Sequence, residues 1–350
     1  LFCGVHGDPC VARDMLEICE YIAEVSNHTA VRVNTNGGMR RSEWWNKLGT
    51  LFSKRANHSS YWSITFSIDG LEDTNHIYRR NVDWSILMEN TKAFINAGGR
   101  ADWDFLIFKH NEHQIDQARE LSKKIGFREF VPKKALGVDN GTQLKKMPAL
   151  NKDGELEYYI EAPIEPKNRN LENPTGEEPL RFYPFKYNEY RELKNSNNST
   201  TYFQDQVERV YENRIAREDN SRLDSCSINC KSKVWTGGKE IFVDNFGRVM
   251  PCCYIGTHLN GVYTDVRTLQ LHKHMNDYGW DKFSLELHTL EEILDQQHLD
   301  RVFADTWTKP SILQGKLSYC SDTCGTYSSI DRIFTHDDIE DKTRYKRCYE

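Results

Sequence analysis

Two pairs of cysteines at C-x3-C spacing, Cys226 with Cys230 and Cys320 with Cys324, flank a Cys252–Cys253 doublet in the last third of the chain. The first pair leads through a strand-like run, Lys239-Glu-Ile-Phe-Val-Asp244, into a turn at Asn245-Phe-Gly-Arg248 and on to Met250-Pro-Cys-Cys-Tyr254. Thiolates gathered by a turn and a long return are how a chain presents four sulfurs to one metal centre. The turn folds the strand back so that Cys252 approaches Cys230. Zinc sites more often use C-x2-C knuckles, and both pairs here are C-x3-C, so an iron–sulfur centre is preferred to a four-cysteine zinc site. The preferred ligands are Cys230, Cys252, Cys320 and Cys324. Cys226 and Cys253 are reserves, and Cys348, near the chain end, ranks last.

The rest of the composition narrows the class. The chain has 350 residues, enough for two domains of ordinary size. Its net charge of −6 gives no basic field for a nucleic acid. No apolar run approaches the roughly 20 residues that span a bilayer, so no membrane partner is expected. No cysteine lies between Cys19 and Cys226, and the N-terminus lacks the pattern of a secretory signal. Ten cysteines distributed this way fit thiols used for metal in a cytoplasmic protein better than a disulfide framework.

The elements that must position these groups alternate strand and helix through residues 1–135. Strands are expected at Leu1–Val5, Ala30–Asn34, Tyr61–Ile68 and Trp103–Phe108, with a fifth beginning at Phe130. Between them, helices carry Met15, Cys19 and Ile22, then Trp45, Leu48 and Leu51, then Leu87 and Phe94, then Ala118 and Leu121. Ser42 and Asp83 are expected N-caps, Asn111 with Gln114 reads as a capping box, and Gly98 and Gly126 end helices. Cys3, in a strand, and Cys19, on an apolar helix face, are expected to be buried. Such βα units make a parallel sheet whose strand-to-helix loops share one edge, where ligands of α/β folds bind. The loops on that edge are Gly7-Asp8-Pro9, Thr35-Asn36-Gly37, Ser67-Ile-Asp69-Gly70 and Lys109-His-Asn111. Each has a plainer reading: Asp8 as an N-cap before Pro9, Asp69 as a turn residue, Asn111 as a cap. Their shared edge favours a ligand site.

After Pro132 the composition changes, with seven of the ten prolines falling between Pro132 and Pro184. Residues 136–222 therefore read as an irregular connector or insertion, with a short strand at Leu156–Ile160 and a helix over 201–217. Residues 223–350 form the cysteine-bearing domain, with an amphipathic helix from Leu290 to Phe303.

These motifs resemble the radical S-adenosylmethionine enzymes that carry a C-terminal SPASM or twitch-type auxiliary cluster domain. Gly7-Asp8-Pro9 resembles that family's G-G-E-P loop, with Asp8 in place of Glu. Thr35-Asn36-Gly37 and Ser67-Ile-Asp69-Gly70 look like the T-N-G and S-I-D-G endings of its next two strands, and Asn111 falls where a family Asn approaches the cofactor. The run Ile241 to Cys253, ending in Pro-Cys-Cys, is similar to the auxiliary domain's strand-turn-strand. The resemblance covers residues 1–135 and 223–350.

What the resemblance implies is an α/β fold, a partial (β/α) TIM-like barrel of parallel strands over 1–135, followed by a smaller cysteine-ligated domain with a 4Fe-4S cluster. S-adenosyl-L-methionine would be bound by Gly7, Asp8, Pro9, Thr35, Asn36, Ser67, Asp69 and Asn111. The C-x3-C-x2-C motif that holds the family's radical-generating cluster is absent. The expectation is that it lies upstream of a fragment opening on the second barrel strand. The intact parent is then expected to be an oxidoreductase in which a 5′-deoxyadenosyl radical abstracts hydrogen from a substrate, a peptide or protein being the class implied, with an electron donor as partner. The rival expectation is a zinc- or iron–sulfur-stabilised binding module with no catalytic role.

Overall fold

The computed structural model describes residues 1–3, 7–55, 62–135, 146–152, 155–169, 221–230, 232, 241–244, 246–260, 266–295 and 297–326. The expected helix over 201–217, Cys348 and the turn residue Asn245 lie outside them. The chain divides into two compact units, Leu1–Asn151 with Glu155–Leu180, and Arg181–Glu350 with Lys152–Gly154.

The first unit is α/β. Strands β1 (Arg32–Thr35), β2 (Ser63–Ser67), β3 (Ala101–Ile107) and β4 (Glu129–Lys134) form one parallel sheet in chain order. Of the expected first strand, Phe2 makes a parallel bridge to Val33 on the outer side of β1. Helices α1 (Met15–Val25), α2 (Ser42–Lys54), α3 (Asn75–Tyr78), α4 (Trp84–Asn96) and α5 (Ile115–Ile125) fill the crossovers. The sheet is open among the described residues.

Strand periodicity sorts its two faces. In-register residues of neighbouring parallel strands point the same way, so Thr35, Phe66, Trp103 and Phe130 form one row. That face is covered by aromatic packing, with Trp45 5.3 Å from Phe66 and Phe127 5.2 Å from Trp103. On the opposite face Asn34, Thr65 and Asp102 form a polar row, Ser67 and Asp104 extend it beside Val131, and Arg128 and Lys133 pair with Asp102 and Asp104. Cys3 corrects an expectation. It is exposed, because it follows bridged Phe2 and so stands on the polar side, where Asn34 Nδ2 faces its sulfur. Cys19 is buried as expected.

One of the expected N-caps differs from the sequence reading. Arg41, not Ser42, precedes α2, and the Ser42 hydroxyl donates to Glu89 instead, 2.7 Å away. Asp83 does cap α4, accepting from Ile86 N–H at 3.0 Å, and Gly126 ends α5 in the left-handed region.

The short strand expected at Leu156–Ile160 is β6 (Leu156–Glu161), paired antiparallel with β5 (Lys146–Leu150). This hairpin closes a small apolar cluster with Phe108 and Ala135, and the Tyr158 hydroxyl donates to Ile77 C=O at 2.6 Å. Part of the proline-rich stretch is thus packed structure belonging to the first unit.

The second unit holds α6 (Ser221–Asp224), a two-residue ribbon of β7 (Phe242–Val243) and β8 (Val249–Met250), then α7 (Cys253–Asn260), α8 (Val266–Tyr278), α9 (Leu290–Asp295), α10 (His298–Val302) and α11 (Ser318–Cys324). Its core gathers Met250, Ile255, Leu271, Met275, Phe283 and Phe303. The single helix expected from Leu290 to Phe303 is two, separated at Gln297, whose φ is +54°. One straight helix would set Ile293 and Leu299 roughly 120° apart around its axis; on either side of the break both are buried. Among the described residues no helix is long and apolar enough to cross a membrane.

Candidate functional site

At the C-terminal edge of the parallel sheet the expected loops are tied to one another. Asp8 has the plainer role, accepting from Cys10 N–H at 2.9 Å with Pro9 opening a short 3-10 turn. It also reaches β1, accepting from the Thr35 hydroxyl at 2.8 Å and Asn36 N–H at 2.6 Å. Arg40 donates to Cys10 C=O (2.8 Å) and Ala12 C=O (2.6 Å), closing the same loop from the other side. Burial, then the nearby Asp8 charge, pushes the Cys10 thiol up. Burial takes Cys19 up to about 12. Neither is a poised nucleophile.

The next two loops interlock in the same manner. Asp69 is buried; its carboxylate accepts from Leu106 N–H at 2.6 Å and from Arg79 Nε at 2.5 Å, joining the ends of β2 and β3. Burial pushes that carboxyl up and Arg79 pulls it back. Asn111 is also buried and does not cap a helix. Its amide donates to Asp69 C=O (2.8 Å) and Leu106 C=O (2.9 Å), and its oxygen accepts from Phe108 N–H (2.7 Å). Gln114 likewise turns to the β2 loop, accepting from Leu71 N–H at 3.0 Å and donating to Asp73 at 2.8 Å. The capping box fails because strand-end backbone groups at this buried edge need those side chains as partners.

Two glycines permit the close turns. Gly37 has φ +71°, and a Cβ there would sit 2.6 Å from Leu87 Cδ1. Gly70 has φ +148°, and a Cβ would sit 2.3 Å from the Thr74 hydroxyl. Gly7 is exposed, and Pro9, Asn36 and Ser67 are half-buried. His110, unassigned from sequence, stacks on Phe108 with its Nε2 buried and without a partner among the described residues. Burial lowers it to about 4, with His76 and His113 adding to the effect, so it is neutral.

In the second unit, backbone pairing decides which thiols meet. Ile228 bridges Gly325 antiparallel, and Asn229 N–H donates to Cys324 C=O at 3.0 Å, which sets Cys230 beside Cys324. The Ser232 hydroxyl donates to Pro251 C=O at 2.5 Å, tethering the same segment to the residue before Cys252. The β7–β8 turn is held by Asp244, which accepts from Phe246 N–H (2.8 Å) and Arg248 N–H (2.9 Å). Arg248 then lies 4.3 Å over the Trp280 ring.

The four preferred thiols act on one another. Cys230 shares a hydrogen bond with Cys324 and feels the charge of Cys252; Cys252 feels Cys324; Cys320 feels Cys252 and Cys324. The contact with Cys324, then burial, pushes Cys230 up. Burial takes Cys252 up to about 12 and raises Cys320 as well. Backbone amides oppose this: Ser232 N–H donates to the Cys230 sulfur at 3.4 Å, and Ile255 and Tyr254 N–H, in the first turn of α7, donate to Cys252. Cys226 is buried with its sulfur packed against Gly325, and Cys253 is exposed at the start of α7. None of the described cysteines forms a disulfide. Among the described residues no group of three or more His, Cys, Asp or Glu side chains is arranged to hold a metal ion.

No family model and no curated protein matches the chain. Among solved structures, the crystal structure of Streptococcus suis SuiB is similar at 14% identity and a TM-score of 0.38, over 78% of this chain and 54% of that one. The chain therefore spans about half the length of that structure.

Proposed function

We propose that this chain is part of a radical S-adenosylmethionine-type oxidoreductase, with an auxiliary 4Fe-4S cluster held in its second unit by Cys230, Cys252, Cys320 and Cys324. The observation that supports the reading is the backbone pairing that sets Cys230 beside Cys324 and ties the same segment to the residue before Cys252, with Cys252 and Cys320 in one apolar cluster. Four thiolates around a multi-iron cluster would each be neutralised by it. When bound, such a cluster supplies one-electron redox chemistry. The chain's part is to hold deprotonated sulfurs, which the Ser232, Tyr254 and Ile255 amides favour.

In the first unit, the strictly sequential parallel order and the polar sheet face fit an arc of a (β/α) barrel with a polar lumen. The edge loops would receive S-adenosylmethionine through the backbone of Gly7, Pro9 and Asn36 and through Ser67. Asp8, Thr35, Asp69 and Asn111 then act as positioning residues, since their side chains are already engaged between loops. A peptide or protein substrate and an electron donor belong to the same proposal.

Anaerobic reconstitution of the full chain tests the cluster. The expected result is about four iron and four sulfide per chain with broad visible charge-transfer absorption. Serine at Cys230, Cys252, Cys320 or Cys324 should abolish it, while Cys226→Ser and Cys253→Ser should retain it. Colourless protein holding one zinc would instead support the structural-module reading.

A further inference from the structure

We propose that a cavity on the helix-covered side of the first unit binds a free α-amino acid with an aliphatic side chain, taken up as its zwitterion. The cavity is on a different face from the polar side of the sheet, and its ligand is independent of the cofactor and cluster reading above.

The cavity, of about 340 Å³, is lined by residues from the start of α5, from β3 and β4, and from the 3-10 turn Pro166–Asn168. Small-molecule sites begin at about 300 Å³ and combine an apolar lining with a few placed polar groups. The apolar part here is Ile107, on the same face of β3 as Trp103 and Phe105, with Pro132, the β4 partner of Phe105, and Ile115 at the start of α5. One wall is fixed by Glu112. Its carboxylate accepts from Ile164 N–H at 2.8 Å, Glu165 N–H at 3.2 Å and Asn168 Nδ2 at 3.4 Å, tying the turn to the residues before α5. The turn closes on itself through Asn168 N–H, which donates to Glu165 C=O at 3.0 Å. Half-buried Arg119 lies 5.1 Å over the Phe130 ring, which holds its guanidinium against β4.

The ligand class follows from the charges around this space. Glu112 is occupied by the turn, but Arg119, Lys167, Asp116 and Glu165 pair with no opposite charge among the described residues. Two cations and two anions that share a cavity and do not pair with one another match a ligand carrying one charge of each sign on neighbouring atoms. Arg119 and Lys167 would take its carboxylate, Asp116 and Glu165 its ammonium, and its side chain would cover Ile107, Ile115 and Pro132. A simple anion would meet the two carboxylates, and a simple cation the two bases. Asp116 has a plainer role as well, since a carboxylate in the first turn of a helix complements its dipole. The ligand's own ammonium is therefore the cleaner handle on that half of the site.

The test is a saturation-transfer NMR titration of the full chain with L-leucine, with 4-methylpentanoate, which lacks the ammonium, and with isoamylamine, which lacks the carboxylate. Leucine should bind saturably, and each analogue should bind more weakly by about tenfold or more. Arg119→Gln and Lys167→Gln should each weaken leucine by a similar factor. Lys167 is exposed, so its replacement leaves the fold in place even if loss of the Arg119 stack does not. Lys123→Gln, on the same helix but paired with Glu120, should bind leucine as the parent chain does. No saturable binding of leucine overturns the proposal, as does binding that Lys167→Gln and Arg119→Gln both leave unchanged. An analogue that binds as tightly as leucine overturns recognition of the zwitterion.

Discussion

Asp69 illustrates how far a motif residue can be from free. Both carboxylate oxygens are engaged, one by the Leu106 amide and one by Arg79, and its carbonyl is held by Asn111. Replacing it by Asn presents an NH2 group to one of these donors and leaves Arg79 without its counter-charge. Breaking a buried pair costs about 3–5 kcal/mol, and the lower end applies because Arg79 is a quarter exposed. Asp69→Asn should therefore lower the denaturant midpoint of the first unit by an amount equivalent to about 3 kcal/mol. A near-parental midpoint would show that the pair is not structural. His110 makes a separate prediction about pH. Its imidazole titrates near 4 when folded against an ordinary value of about 6.5. Between those values the unfolded chain binds a proton that the folded chain does not, so stability falls as pH drops from above 6.5 towards 4. His110→Phe, which keeps the stack on Phe108, should flatten the acid limb of stability against pH for the first unit. His272, also lowered to about 4 by burial, leaves the same limb in the second unit.

At the scale of elements, the loops depend on conformations that only some residues adopt. Gly37→Ala would force a side chain into the left-handed region and against Leu87 and Phe66. Strain of this kind costs about 1–3 kcal/mol, and urea unfolding with S-adenosylmethionine calorimetry on the same variant should show both stability and affinity reduced. Stability lost with affinity unchanged would separate this loop from the cofactor. The β-strands were legible because apolar and polar residues alternate, as in Ile64-Thr65-Phe66-Ser67, and the βα order followed from helix periodicity between them. Asp83 and Gly126 were legible as caps because their requirements are local. Asn111 was misread for the opposite reason: a capping signature says nothing about the strand-end carbonyl that arrives from Asp69, far back along the chain. Gln297 was invisible as a helix break, since it is set by what Ile293 and Leu299 must both reach. Spacing alone left Cys226 and Cys230 equivalent as members of one C-x3-C pair. The bridge from Ile228 to Gly325 separates them, turning one towards Gly325 and the other towards Cys324.

At the scale of the whole molecule, each unit has a core of its own, one built on Trp45, Phe66 and Trp103 and the other on Met250, Phe283 and Phe303. Cys252 and Cys320 pack in the second core, while Cys10, Cys19 and the aromatic row of the sheet belong to the first. Anything that binds only the folded second unit raises its stability by mass action, while a unit that does not bind is unaffected. Two cores, with the proposed cluster in the second unit alone, therefore predict two thermal transitions, of which one depends on the cluster. Calorimetry of the anaerobically reconstituted chain, before and after removal of iron by a chelator, checks this. Chelation should lower the second unit's transition and leave the first within error, and the Asp69→Asn variant should do the reverse. A transition that does not respond to chelation in protein shown to have lost its iron would mean that the four cysteines contribute nothing to holding the second unit together.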